Sequence, residues 1–159
     1  MSFGDDLERE RERILRLVKH AGAGWAEAMR AHKLAPPNED FADRLQQLSE
    51  AAAAEQLAWQ QAHEAGMSWR PIPGAEQAEP PYELRPASGR RGPDDIWERF
   101  DHAVGELNRA ISRSSAERVA DAFGALATVA AELSAAVAQE DDIKRQARAM
   151  SKAARTSAA

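Results

Sequence analysis

Apolar residues recur along most of this chain at intervals of three, four and seven, the spacing that gathers them on one face of an α-helix. The first such run covers residues 5–34, where Leu7, Ile14, Val18, Ala21, Trp25, Ala28 and His32 share a face. Its opening turns, Glu8 to Arg13, alternate in charge and pair at i,i+3, as a solvated surface does. Gly22 and Gly24 interrupt the run at a cost of roughly 1 kcal/mol each against alanine, and are expected to kink the helix or admit a close neighbour. Pro36 and Pro37 end it, because neither continues the backbone hydrogen-bond ladder.

The pattern predicts three further helices. The second spans 38–66, with Asn38 as N-cap, Glu39 and Asp40 at the positive end of the helix dipole and Gly66 as the C′ residue. Its stripe is Phe41, Leu45, Leu48, Ala52, Trp59 and either Ala62 or His63. Leu57 points away from Leu48, so this helix is expected to bury two faces, the second against another layer or another copy. The third spans 94–112, opened by Pro93 and capped by Asp94 or Asp95, and carries Ile96, Trp97, Phe100, Val104, Leu107 and Ile111. Ser114 and Glu117 form a capping box for the fourth, 115–150. There Val119, Phe123, Leu126, Ala130, Leu133 and Val137 alternate by four and three in a heptad-like seam. The seam is lost afterwards, and 151–159 are expected to fray.

Between the second and third helices runs residues 67–93, "MSWRPIPGAEQAEPPYELRPASGRRGP". Its prolines exclude a helix, yet Met67, Trp69, Ile72, Tyr82 and Leu84 are too apolar for a free linker. The first two-thirds is therefore expected to pack as a strap, with Trp69 and Tyr82 filling a groove between helices. From Arg85 onward the stretch reads as exposed, basic and flexible, with Arg85, Arg90 and Arg91 suited to an anionic surface. Neither PPxY nor PxxP spacing is met.

Short connections between helices one and two, and between three and four, favour antiparallel pairs. The expected fold is all-α: one domain over 1–159, a four-helix bundle of two antiparallel hairpins joined by the Pro-rich strap. Composition adds a second copy. Apolar residues make up 43% of the chain but aromatics only 6%, and alanine buries little area per residue. A core built this way is thin, which favours completion or extension by homodimerisation.

Charge and chemistry narrow the function. A net charge of −5 argues against a surface built as a whole for nucleic acid, and the absence of cysteine removes disulfides and thiol chemistry. The charged N-terminus lacks the apolar segment of a signal peptide, and no uninterrupted apolar run reaches the roughly 18 residues that cross a bilayer. The amphipathic helices lack the basic residues beside bulky apolar ones that mark a membrane-surface helix. The expected setting is a bacterial cytoplasm, the bias to Ala, Arg and Glu over Lys and Asn pointing to a GC-rich genome.

Glu98, His102 and Glu106 stand at i, i+4 and i+8 on the polar side of the third helix. That is one residue off the Glu-x-x-His spacing of a bundle di-metal site, so a solvated face is expected and no metal or cofactor. His20, His32 and His63 are scattered, and no nucleophile elbow or triad accompanies them. "AGAG" at 21–24 lies inside a helix, with no preceding strand and no lysine, so it is not a phosphate loop.

The reading that follows is a non-enzymatic helical interaction protein, a homodimer. Trp69, Tyr82, Arg85, Arg90 and Arg91 are expected to meet a protein partner, and Leu57 and Trp59 to meet a second copy. One alternative is a nucleic-acid-associated regulator using the basic C-terminal tail of Lys144, Arg145, Arg148, Lys152 and Arg155. Another is an enzyme or small-ligand binder with a pocket between strap and helices.

Overall fold

A computed structural model describes residues 3–34, 40–67, 84, 91–113 and 115–157. The protein is all-helical: α1 (Phe3–Leu34), α2 (Phe41–Glu64), α3 (Asp94–Arg113) and α4 (Ala116–Ser157), with no strand among the described residues. α2 packs against α1 and α4, and α3 packs against α4.

The buried stripes follow the sequence periodicity, with instructive departures. On α1 the stripe starts at Ile14 and includes Met29, while Leu7 is left exposed. The reason is length: Arg13 already reaches Gln61 near the end of α2 (2.9 Å), so α1 overruns its neighbour and no described residue covers the turns before it. The helix passes unbroken through Gly22 and Gly24, and the space beside Gly24 is open. On α2, Ala62 belongs to the core and His63 faces outward. Leu57 is 51% exposed, so α2 buries one face within the chain, not two.

Helix ends obey local chemistry. The predicted cap Asn38 lies outside the described residues, and Asp40 occupies the N-cap position of α2 without a side-chain cap bond. At the other end Gly66 takes φ +74° and its N–H donates to the His63 carbonyl, while the Met67 N–H donates to Ala62. This pair of bonds is a Schellman closure, which needs a left-handed residue at that point. The start of α4 falls one residue later than the capping box implies: the hydroxyl of Ser115 accepts from the Arg118 N–H (3.4 Å), Ser114 lies outside the described residues, and Glu117 sits 3.8 Å from His63. The far end of α4 does not fray after Met150 but stays helical to Ser157, since alanine, lysine and arginine all favour helix.

Two hydroxyl bonds fix α2 against α4. Ser49 donates to the Ala127 carbonyl and Ser134 donates to the Ala42 carbonyl, both at 2.6 Å. With His63 near Glu117, these contacts show the two helices running in opposite directions. Alanines line the same faces (Ala42, Ala52, Ala120, Ala127, Ala130), and their small side chains admit the close approach that such hydroxyl bonds require. The core around them is completed by Trp25, Trp59, Trp97, Phe41, Phe100 and Phe123, all fully buried within one chain. By composition α4 also holds a stretch long and apolar enough to cross a membrane, with mean hydropathy 1.4 over 18 residues; half of that window is buried inside the protein.

Candidate functional site

Three places concentrate polar groups. The first is a clamp where the central stretch rejoins the helices. Arg91 pairs with Asp141, and its Nε lies 4.0 Å from Glu140. The neighbouring Gly92 N–H donates to the other Glu140 oxygen (2.9 Å), and the Trp97 indole N–H donates to the Arg91 carbonyl (2.7 Å). Gly92 takes φ +91°, and a Cβ there would press on Leu133 and Val137, so only glycine lets the backbone lie this close to α4. The Arg91 and Asp141 side chains are 10% and 9% exposed. Arg91 is therefore a structural tie and not part of an exposed basic patch, contrary to the sequence expectation: the two adjacent carboxylates of α4 draw it inward.

The second is an aromatic box at the C-terminal end of α1. The His32 ring stacks on Phe41 (5.7 Å) and tilts against Phe100 (6.4 Å); Phe41 in turn stacks on Trp97 (6.3 Å). Its Nε2–H donates to the carbonyl of Leu84 (2.7 Å), whose side chain is buried among the core residues. Burial holds the His32 pKa below the usual imidazole value, partly offset by that bond. The imidazole is thus a neutral peg for the central stretch. Its Nδ1 is buried with no hydrogen-bond partner among the described residues.

The third is Glu55, fully buried on α2. Trp59 donates its indole N–H to Oε2 (3.0 Å), and Oε1 has no hydrogen-bond partner among the described residues. Burial pushes this carboxyl up to about 7, the Trp59 bond opposing the shift. A raised carboxyl pKa means that stability from this group is complete below its ordinary value of 4.5 and is lost as pH rises towards 7. The loss amounts to about 3 kcal/mol by pH 8. Glu55→Gln is expected to remove that slope, leaving stability between pH 5 and 8 flatter by roughly this amount; urea melts across the interval check it. Its one signal in the sequence is its place in the Ala52–Trp59 stripe, where a carboxylate breaks an otherwise apolar face.

The other expected site residues fall as follows. Trp69, Tyr82, Arg85 and Arg90 lie outside the described residues. Trp59 is buried inside its own chain and held by Glu55, so it does not meet a second copy; its place on the core stripe, one turn from Glu55, accounts for this. Leu57 remains exposed, flanked by the exposed Ala53 and Ala54. Glu98, His102 and Glu106 are all exposed, His102 lying 3.9 Å from Glu106, which also pairs with Arg109. Among the described residues no three histidines or carboxylates are placed to share a metal ion.

One surface feature was missed by reading the tail as frayed. From Asp142 to Ser157 every residue of α4 is exposed, including Ile143 (59%) and Met150 (73%). Asp141, at the Arg91 clamp, is the last residue of α4 that the rest of the chain covers. The remainder projects past the other described residues as a helical arm of about 24 Å. Projected at about 100° per residue, Lys144, Arg145, Arg148, Lys152 and Arg155 fall within an arc of about 100°. That arc overlaps the one holding Val119 to Val137, so the stripe that is apolar in the core becomes cationic on the arm. Periodicity in charge, not in hydropathy, carried the signal.

No family model matches this sequence, and neither a curated protein nor a solved structure matches it.

Proposed function

We propose that this chain is a non-enzymatic helical interaction protein of a bacterial cytoplasm, a four-helix bundle of two antiparallel hairpins that acts as a homodimer and offers helix faces to partners. The observation that carries this reading is the projecting end of α4. A helix left uncovered by the other described residues gains little tertiary stabilisation from them, and helical segments of this length are marginal in water without it. This one also leaves Ile143 and Met150 in solvent. Such a surface is accounted for when another macromolecule covers it. The polar groups buried in the interior, by contrast, are committed to structure: His32 to Leu84, Arg91 to Asp141, Glu55 to Trp59.

Light scattering coupled to size exclusion tests the reading on the full chain. A dimer mass at micromolar concentration, dissociating on dilution, is expected. A monomer at every concentration, together with no partner retained on the immobilised protein, would sink it. Substituting Leu57→Glu separates the two exposed apolar regions: if α2 supplies the contact, this change alone gives monomer, and if α4 supplies it the dimer survives.

A second reading, a regulator that binds nucleic acid through the tail, gains support from the shared face of the five cations. A gel-shift titration at two salt concentrations tests it, since phosphate contacts weaken steeply with salt.

A further inference from the structure

The identity of the arm's partner follows from how charge is distributed over the molecule. The whole chain carries −5. Residues 143–157 hold five cations and no carboxylate, so the remaining residues carry −10. A polyanion approaching the arm meets this acidic body beside it, whereas a second copy brings an acidic body to a cationic arm.

The acidic surface has a suitable shape and place. α3 and α4 enclose an open groove floored by Ala103, Ala125 and Val129. Asp95, Glu98, Glu106 and Glu132 line it, with Arg99 and His102 between them. Arg99 pairs with Glu132 across it at 2.7 Å. From Asp95 to Glu106 the α3 rim rises through 11 residue steps, about 16 Å. Lys144 to Arg155 spans the same 11 steps on the arm. The groove opens near its Asp95 end toward the same end of the body from which the arm projects, since Arg91 and Gly92, just ahead of α3, meet Glu140 and Asp141.

Resting on the homodimer reading above, we propose that the α4 arm of one copy lies along the carboxylate-lined α3–α4 groove of a second copy, and that each copy gives its arm to the other. A two-fold axis near the root of the arms makes this exchange reciprocal and closed, so it yields a dimer and not a filament. The contact sets Arg148, Lys152 and Arg155 opposite Asp95 and Glu98, and leaves Ile143 and Met150 on the outer face of the arm. Exposed ion pairs are individually weak and are screened by salt, so the dimer loosens as ionic strength rises.

Charge reversal with complementation tests this. The arm variant is Arg148→Glu/Lys152→Glu/Arg155→Glu, all at exposed positions outside the core; the groove variant is Asp95→Lys/Glu98→Lys. Circular dichroism confirms that both stay helical. Each variant alone sets like charges together and is expected to dissociate at least about tenfold more readily than wild type. Mixed in equal amounts they restore both contacts of the heterodimer, and sedimentation velocity is expected to show the dimer return. Wild-type dimers that persist unchanged in both variants would overturn the arm-in-groove contact while leaving the homodimer reading intact. A wild-type monomer at all concentrations removes both. Retardation of a 30-base-pair duplex by the wild-type monomer, abolished in the arm variant, assigns the arm to nucleic acid and likewise overturns the proposal.

Discussion

Trp97→Ala is expected to cost about 3–5 kcal/mol, a large share of the roughly 5–15 kcal/mol that holds a domain folded. Trp97 is fully buried, meets Phe100 edge-to-face at 5.2 Å and stacks on Phe41 at 6.3 Å. Truncation leaves a cavity at the meeting point of three elements: α3 through Phe100, the start of α2 through Phe41, and the clamp through the Arg91 carbonyl. The surrounding helices cannot collapse into it, because α2 is held to α4 by two hydroxyl bonds and Arg91 is held by Asp141. A fall in Tm of about 10 °C or more follows for a chain of this size. Trp97→Phe keeps most of the ring contact and loses the indole N–H, so it isolates the bond to Arg91 at about 1–2 kcal/mol. Urea unfolding followed by circular dichroism measures both; a loss below about 1.5 kcal/mol for the alanine variant would show that the aromatic box is not a principal tie.

The second large effect is at the clamp. Arg91→Met is expected to cost about 3–5 kcal/mol, because it leaves the nearly buried Asp141 carboxylate without its guanidinium partner. The cost belongs to the stranded charge more than to the attraction. Replacing both residues, Arg91→Met with Asp141→Leu, is accordingly expected to recover most of the loss. Glu140 distinguishes the two single variants: without Asp141 the arginine still lies 4.0 Å from Glu140, so Asp141→Leu is milder than Arg91→Met. A double-mutant cycle reports the coupling directly, and single losses that add to within about 0.5 kcal/mol would show that the pair is not coupled.

How much of this was legible beforehand varies by element. The four helices were, because Leu45, Trp97, Phe123 and their stripes repeat at the helical period, and prolines, glycines or a serine cap mark the breaks between them. What periodicity does not contain is how long each neighbour is. Leu7 belongs to the α1 stripe by angle, yet it is exposed because α2 stops short of it. Leu57 and Trp59 differ by only two positions, and the fate of each depends on which side of α2 is left without a helix. Arg91 looked like part of a basic cluster because its partners, Glu140 and Asp141, lie some fifty residues away. The arm was hidden for a different reason. Its apolar stripe ends, so a hydropathy reading ends the helix there as well, although Ala, Lys and Arg sustain helix without any core.

The two serine bonds between α2 and α4 have a mechanical consequence. Ala42 and Ser49 on one helix, and Ala127 and Ser134 on the other, are each one heptad apart, and the hydroxyls donate in opposite senses across the contact. An axial slip of α4 by even part of a turn lengthens both bonds together, so there is no intermediate position in which one compensates for the other. The pair therefore works as a shear lock. Sliding α4 along α2 means breaking both bonds at once.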